Sequence, residues 1–364
     1  MNLKKTVLIL FTGMMAAACC IPVSAASKRV TEGDFTAEIN EDGSGVTIQK
    51  YLGSDAVVAF PNEIEQMPVT GIGFWTFWGD EIYELTIPKN VVEINKNMFE
   101  SGAGLEEFIV DEENPRFYTI DGVLFDNEEN ELYLFPKGKM SDIYELPEEI
   151  SGIGSGAFCD CSNIKELITP DSCVKIEELA FADCKELQKV SFAEGLQSIG
   201  EKAFANCISL EDFTIPASVN EIGEQAFANL KMVTKFEVAQ ENEVFESLDG
   251  VLINKSDGTL VAYPAADDDE EYEVPSEISD IGISAFRFCD HLTSVTIPEG
   301  VKSIGQEAFY WCSNLKEVRI PESVTEIGPD AFSGCKDLVL SVADGSYAQQ
   351  YAKENQIAAA VVEK

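Results

Sequence analysis

Basic residues are scarce in this chain of 364 residues. Lys and Arg number 25 against 65 Asp and Glu, which gives a formal net charge of −40. Nucleic acids and anionic membranes bind proteins through Lys and Arg, so this balance argues against both as partners. The acidic excess is explained most simply as a source of solubility at a cell surface, and recruitment of basic partners is the functional alternative.

Residue patterns for catalysis or metal binding are also scarce. The only histidine, His291, stands alone beside Cys289, and no zinc-type spacing of ligands occurs. The sequence has no Gly-rich phosphate loop and no serine hydrolase elbow. Residues 267–271 are five consecutive acids, but such a run lacks the spaced ligands and turn glycine of a calcium loop, so a solvated loop is favoured. We therefore expect no enzyme activity, no cofactor and no metal.

A long hydrophobic run occurs only at the start of the chain. Two lysines precede an apolar run over residues 7–23 that ends in Val-Ser-Ala, which is typical of a secretory signal peptide at residues 1–25. The alternative is a lipoprotein signal acylated at Cys19 or Cys20, although Ala16 stands where Leu would be usual. We expect a secreted or extracellular cell-surface protein whose mature chain has no transmembrane span.

One stretch of about 23 residues recurs along most of the sequence. The copy at residues 199–223 is IGEKAFANCISLEDFTIPASVNEIG, and each copy has a phenylalanine five positions after its first isoleucine. The nine pairs are Ile72 and Phe77, Ile94 and Phe99, Ile153 and Phe158, Ile176 and Phe181, Ile199 and Phe204, Ile222 and Phe227, Ile281 and Phe286, Ile304 and Phe309, and Ile327 and Phe332. A fixed period of this length predicts a solenoid whose units bury their apolar faces against their neighbours.

Each unit contains the pattern of a short strand. Phe213 and Ile215 alternate with the polar Thr214, which predicts a strand with its apolar side chains inward, and Pro216 ends it. Residues 201–207 are predicted to form one or two helical turns. The core is thus expected to be one long file of Phe, Ile and Leu.

The full pattern resembles a known class of repeat. Residues 304–328, IGQEAFYWCSNLKEVRIPESVTEIG, fit IGxxAFxxCxxLxxVxIPxxVxxIG, the pattern of the BspA-like, or Treponema-type, bacterial leucine-rich repeats, and the similarity covers about residues 46–340. The resemblance implies an α/β leucine-rich repeat solenoid with a parallel concave sheet and short helices or turns on the convex side. It also implies secreted or surface proteins that bind other proteins, some of them adhesins, with no catalytic motif.

Two steps of the repeat are 59 residues long because each contains a 36-residue insertion. The insertions, at about residues 111–147 and 239–275, align with each other at an offset of 128. Asp121-Gly122 in the first matches Asp249-Gly250 in the second, and Asp-Gly between apolar residues predicts a β-hairpin. Insertions of this kind emerge on one face of a solenoid and often carry its binding specificity.

Capping regions are expected at both ends of the repeats. We assign residues 26–70 to an N-terminal cap, 71–340 to the solenoid and 341–364 to a C-terminal cap that contains a helix. The first repeat carries three unusual aromatic residues, for which packing against the cap is favoured over a binding patch. These are Phe74, Trp75 and Trp78.

Eight cysteines follow the predicted signal peptide, and six of them share one repeat position. The six are Cys161, Cys184, Cys207, Cys289, Cys312 and Cys335. We expect them to be stacked in the core as small hydrophobic residues, with Cys173 also buried and Cys159 more exposed. Neighbouring turns are close enough that a disulfide is not geometrically excluded.

Two adjacent repeats carry large residues where the other repeats have small or polar ones. These are Arg287-Phe288 and Tyr310-Trp311, which should stack side by side. Aromatic residues and Arg are enriched in interface hot spots, so we predict that they bind a protein or a glycan. The alternative is that the second insertion folds back and buries them. The sequence thus favours a protein-binding or adhesion-type scaffold over a structural spacer, a surface-layer component or a glycan-binding module.

Overall fold

The computed structural model describes residues 29–78, 81–99 and 104–362. The predicted signal peptide, residues 1–25, lies outside the described residues. The chain winds into a parallel-stranded solenoid, as predicted. Each turn contributes short strands to two parallel rows, where one parallel sheet was expected. The one helix among the described residues is Tyr347–Glu354, and no described helix has the length and apolar character needed to cross a membrane.

The isoleucines that open the repeats form one of these rows, the isoleucine row. Ile153, Ile176, Ile199 and Ile222 pair in register as parallel neighbours. The strands of this row are Met67–Ile72, Glu93–Ile94, Glu131–Leu134, Gly152–Ile153, Lys175–Ile176, Ser198–Ile199, Glu221–Ile222, Thr259–Ala262, Asp280–Ile281, Ser303–Ile304 and Glu326–Ile327.

The second row comes from the segment before each proline or its equivalent. Its strands are Val57–Ala59, Glu84–Ile87, Glu107–Val110, Ile143–Glu145, Glu166–Ile168, Lys189–Ser191, Thr214–Ile215, Glu237–Val238, Glu271–Glu273, Ser294–Thr296, Glu317–Ile320, Val339–Val342 and Ala358–Val361. Phe213 and Ile215 are buried whereas Thr214 is exposed, so the predicted inward and outward positions are confirmed.

The repeat phenylalanines stack into a column inside the solenoid. The ring centroids of Phe158 and Phe181 are 4.7 Å apart, and those of Phe181 and Phe204 are 5.1 Å apart and within 3° of parallel. Phe135 and Tyr263, from the two insertions, extend the column onto Phe158 and Phe286. One aromatic ring per turn therefore fills the centre of the core.

The segment that follows each isoleucine is a series of turns, so the helical turns predicted for residues 201–207 are wrong. Lys202 has φ of 55° and Asn206 has φ of 64°. A right-handed helix cannot contain such left-handed residues, and two of them per repeat interrupt any helical run. A sequence does not show that a single residue has positive φ when that residue is Lys or Asn, because both also occur in helices.

The cysteine ladder is mostly buried and contains no disulfide among the described residues. All eight described cysteines are free, and only Cys159 and Cys335 are partly exposed. The Cys184 thiol donates to the Phe158 carbonyl at 3.0 Å, and the Cys312 thiol donates to the Phe286 carbonyl at 2.8 Å. The thiols thus contribute hydrogen bonds between turns as well as apolar bulk.

Both insertions contain the predicted hairpins. The first pairs Phe117–Ile120 with Val123–Asp126, and the second pairs Phe245–Leu248 with Val251–Asn254. Asp121 and Gly122 have φ of 48° and 71°, and Asp249 and Gly250 have φ of 50° and 88°, as a type I′ turn requires. The strand after each hairpin, Glu131–Leu134 or Thr259–Ala262, rejoins the isoleucine row. Each insertion is therefore one more turn of the solenoid with a hairpin attached.

Different structures cover the two ends of the core. At the start, the antiparallel strands Arg29–Glu32, Phe35–Ile39 and Val46–Tyr51 lead into Met67–Ile72, which also pairs with Glu63–Ile64. At the other end, the helix Tyr347–Glu354 buries Ala348, Tyr351 and Ala352 against the last turns. We propose that these two structures are the caps expected at residues 26–70 and 341–364.

Candidate partner-binding surface

Seven described turns, those that begin at residue 153 and beyond, have a left-handed residue seven positions after the first isoleucine. In most turns this residue is Asp, Asn or Gly, the residue types that tolerate positive φ. The residues and their φ values are Asp160 at 60°, Asp183 at 61°, Asn206 at 64°, Asn229 at 63°, Phe288 at 59°, Trp311 at 56° and Gly334 at 89°. Phe288 and Trp311 thus place bulky side chains where the backbone disfavours them.

These two residues and the residue before each form the aromatic strip: Arg287, Phe288, Tyr310 and Trp311. Phe288 and Tyr310 pack edge to face, with centroids 6.1 Å apart and an interplanar angle of 89°. The Arg287 guanidinium carbon lies 4.5 Å from the Tyr310 centroid and 5.3 Å from that of Phe288. We expected Phe288 beside Trp311, and the ring that it contacts is Tyr310. The Tyr310 ring also lies 6.4 Å from that of Trp311.

The strip is only partly buried. Trp311 is 43% exposed, while Arg287, Phe288 and Tyr310 are half-buried. Arg287 forms an ion pair with Glu307, so its charge is neutralised locally. Three side chains that contact the strip lie outside the second insertion at residues 239–275, namely Lys231, Glu307 and Lys336. Trp311 therefore remains open to a partner.

Two lysines flank the aromatic rings. Lys231 Nζ lies 5.2 Å from the Phe288 centroid, and Lys336 Nζ lies 6.0 Å from the Trp311 centroid. Neither forms an ion pair with a carboxylate in the part of the chain that the structure describes. Both charges therefore remain available on a chain that carries 65 acids and 25 bases.

A second exposed aromatic cluster lies near the first cap. Phe74, Trp75 and Trp78 are 48%, 43% and 52% exposed, so the expectation that they pack against the cap is wrong. The rings of Phe74 and Trp75 are stacked at 4.5 Å, and Trp78 meets Trp75 edge-on at 4.9 Å. Phe60 and Tyr51 of the proposed cap instead pack against Phe77, the first ring of the internal column. The proposed cap therefore covers the end of the core and leaves Phe74, Trp75 and Trp78 exposed.

The family of the chain follows from its repeats. Residues 58–137, 129–248 and 268–342 match the family model described as BspA type leucine rich repeat region, in six copies. The chain belongs to this family. The sequence prediction of BspA-like repeats is confirmed, and the chain is a bacterial-type leucine-rich repeat scaffold.

Solved structures of similar proteins share the solenoid. A leucine rich cell surface protein from Faecalibacterium prausnitzii is 23% identical, with 90% of this chain and 98% of that chain covered and a TM-score of 0.54. A leucine-rich repeat protein from Eubacterium ventriosum is 21% identical over 88% of this chain and 73% of that one, with a TM-score of 0.48. The pneumococcal vaccine antigen PcpA is 20% identical over 94% and 100%, with a TM-score of 0.47. At 23% identity the likeness to the Faecalibacterium protein establishes the fold alone. No protein of curated function matches the chain significantly.

A cleft of about 310 Å³ lies where the BspA-type repeats meet the first insertion. Phe74, Trp75, Lys96 and Phe135 are among its lining residues. In the isoleucine row, the described strands Glu93–Ile94 and Glu131–Leu134 do not pair with each other. Lys96 Nζ donates to the Ser155 carbonyl at 2.6 Å across this break. Burial lowers the pKa of this ammonium to about 8. Its contacts join two turns that no strand pair connects, which is a structural role.

Three side chains of the types that bind metals come together at one place in the described chain. The carboxylates of Asp267, Asp268 and Asp269 lie within 4.8 Å of one another, and Asp268 and Asp269 are exposed. The Asp267 carboxylate already accepts the Asp269 amide at 2.9 Å. His291 is exposed on a turn. The solvated acidic loop at residues 267–271 stays a prediction.

Proposed function

We propose that this BspA-type repeat protein is a secreted or cell-surface scaffold that binds a partner protein through the aromatic strip and has no catalytic role. The observation that carries the proposal is the pair of aromatic residues at left-handed backbone positions on successive turns. Phe288 and Trp311 stand where other turns have Asp, Asn or Gly.

The energetic argument rests on the backbone. A left-handed conformation costs a bulky L-residue roughly 1–2 kcal/mol. The turns with Asn206, Asn229 or Gly334 reach the same φ region with residues that tolerate it. The same turn therefore forms without an aromatic residue. Residues in a disfavoured backbone conformation, at positions where another residue type would cost less free energy, are characteristic of functional surfaces.

The composition and exposure of the strip also support a binding role. Trp, Tyr and Arg are the residues most enriched in hot spots, where they pack in partly enclosed positions. Trp311 offers an exposed indole, and Tyr310 and Phe288 are fixed by Arg287 between them. Rigid aromatic side chains lose little conformational entropy when they bind.

The predicted location of the protein fits the same role. The predicted signal peptide at residues 1–25 favours export, and the Faecalibacterium relative is described as a cell surface protein. Export by this route would expose the strip to proteins of the same or neighbouring cells. Acylation at Cys19 or Cys20 remains the alternative means of attachment, and both residues lie outside the described chain.

The test replaces both aromatic residues by the residue that neighbouring turns use. In Phe288→Asn/Trp311→Asn the lost ring contacts and the relieved backbone strain oppose each other, so the melting temperature should change little. Binding to bacterial or host surface proteins, captured with the wild-type mature chain and measured by surface plasmon resonance, should fall at least tenfold.

The matched control is Asp160→Asn/Asp183→Asn, at the same repeat position on two earlier turns. This control should keep both stability and binding. Unchanged binding in the aromatic variant would refute the proposal, and so would a large loss of stability, since the rings would then belong to the core. A spacer or surface-layer role predicts that the wild-type chain captures no partner.

One observation favours glycan binding as a second candidate function. Phe74 and Trp75 form a stacked and exposed pair, and flat aromatic surfaces of this kind accept the apolar faces of sugar rings. Glycan-array binding that Trp75→Ala abolishes, while Phe288→Asn/Trp311→Asn retains it, would establish this role.

A further inference from the structure

The aromatic strip is bounded by two cations that no described acid neutralises. Lys231 lies over Phe288 at one end, and Lys336 lies over Trp311 at the other. The cation between them, Arg287, is paired with Glu307. The strip thus offers two available positive charges, with aromatic surface between them, on a chain whose net charge is −40.

The geometry limits the shape of the ligand. Successive turns of a parallel sheet are ~4.8 Å apart, and the strip with its lysines spans several turns. An extended peptide advances ~3.3 Å per residue, so a segment of at most about seven residues follows the rings from one ammonium group to the other. A linear ligand that lies across the turns therefore fits better than a compact one.

The arrangement of the rings favours a peptide over a sugar chain. Phe288 and Tyr310 are perpendicular, and the Arg287 guanidinium already lies close to both rings. These rings therefore form no flat surface for stacked sugars. The exposed Trp311 ring, 6.4 Å from that of Tyr310, instead offers apolar surface against which a single aliphatic or aromatic side chain can pack.

We propose that the partner of the strip is an acidic, extended peptide segment of a protein. Its carboxylates at the two ends lie on Lys231 and Lys336, and an apolar side chain between them packs against Phe288, Tyr310 and Trp311. This inference rests on the proposed function and adds the chemical class of the partner.

Charge distribution supplies specificity as well as attraction. An acidic segment is repelled by the acidic residues that predominate on the rest of the chain, and like-charge contact is an effective means of excluding wrong positions. At physiological ionic strength the Debye length is about 8 Å, so distant acids are screened while contacts with the two lysines persist.

The experiment is a selection from a random dodecapeptide phage library on the wild-type mature chain, with Phe288→Asn/Trp311→Asn for counter-selection. Enriched peptides should carry acidic residues on both sides of an aliphatic or aromatic residue. A synthetic peptide of that consensus should bind wild type, and Lys231→Gln/Lys336→Gln should weaken its binding at least tenfold. The control Lys185→Gln/Lys202→Gln, on other turns, should leave binding unchanged.

Each other outcome has a definite meaning. Strip-dependent peptides that are neutral or basic would overturn this inference and leave the proposed function intact. Failure to enrich any strip-dependent peptide would count against both. Binding of polygalacturonate that disappears in the counter-selection variant would assign the strip to an acidic glycan and overturn the inference.

Discussion

Truncation of one phenylalanine in the column would show how strongly stability depends on a single turn. Phe204 is fully buried, stacks on Phe181 at 5.1 Å and on Phe227 at 6.1 Å, and meets Phe192 edge-on at 5.8 Å. Phe→Ala in a protein core costs about 3–5 kcal/mol. Because three ring contacts are lost together and the stacked neighbours cannot both close the gap, we expect Phe204→Ala near the upper end of that range.

The matched control lies on the outward side of the same repeat. Thr214 is exposed and contributes one hydrogen bond, from its hydroxyl to the Glu237 carboxylate at 3.3 Å. Thr214→Ala should therefore change the free energy of unfolding by no more than about 0.5 kcal/mol. The two variants alter neighbouring segments of one turn and differ mainly in which way the side chain faces.

The assay must resolve local unfolding, because repeat proteins depart from two-state behaviour. Urea denaturation followed by circular dichroism would give the total loss, and hydrogen exchange by mass spectrometry would locate it. Each turn contacts only its neighbours, so protection should fall in the turns that contain Phe181, Phe204 and Phe227, while the last turns stay protected. Equal losses for Phe204→Ala and Thr214→Ala, or a uniform loss of protection, would refute this account.

Two further predictions concern the cysteines and the first hairpin. In a chain that starts at residue 26, denaturation without reductant should release eight free thiols. The native protein should react slowly with a thiol reagent, and only at Cys159 and Cys335, which are partly exposed. Four or fewer thiols after denaturation would mean that the ladder is oxidised. Arg116→Val should cost about 3 kcal/mol in urea denaturation because it leaves the buried Asp126 carboxylate, now 2.9 Å from Arg116 Nε, without its cation. Adding Asp126→Asn should restore most of that loss, since Val244 and Asn254 occupy these positions in the second insertion. If stability did not recover, the unpaired Asp126 carboxylate would not be the cause of the loss.

The parts of the fold that sequence predicts are those repeated in phase. The phenylalanine column, the inward Ile215 and the Asp-Gly hairpins are each marked by a residue type that the structure requires. The turns after each isoleucine were mistaken for helix because Lys202 and Gln225 adopt positive φ without a glycine to signal it. Backbone conformations that several residue types can adopt leave no such mark.

The candidate site was only half visible in the sequence. Phe288 and Trp311 stand out against their repeat position, but Lys231 and Lys336 lie on other turns and join them only through the winding of the chain. Both lysines stand nine residues after the first isoleucine of their turns, so alignment by repeat position could have found them. The exposed Phe74 cluster was misplaced because the sequence does not show which surface a cap covers.

The duplication within the chain provides an internal comparison for the aromatic strip. At the offset of 128 residues that aligns the two insertions, Phe288 corresponds to Asp160 and Trp311 to Asp183. The backbone is the same in both halves, with φ of 59° and 56° at the aromatic residues and 60° and 61° at the aspartates. One half of the solenoid therefore builds this surface from acids and the other from aromatic rings on equivalent turns. Because folding is satisfied by either, the difference between them supports the proposed binding role of the aromatic half.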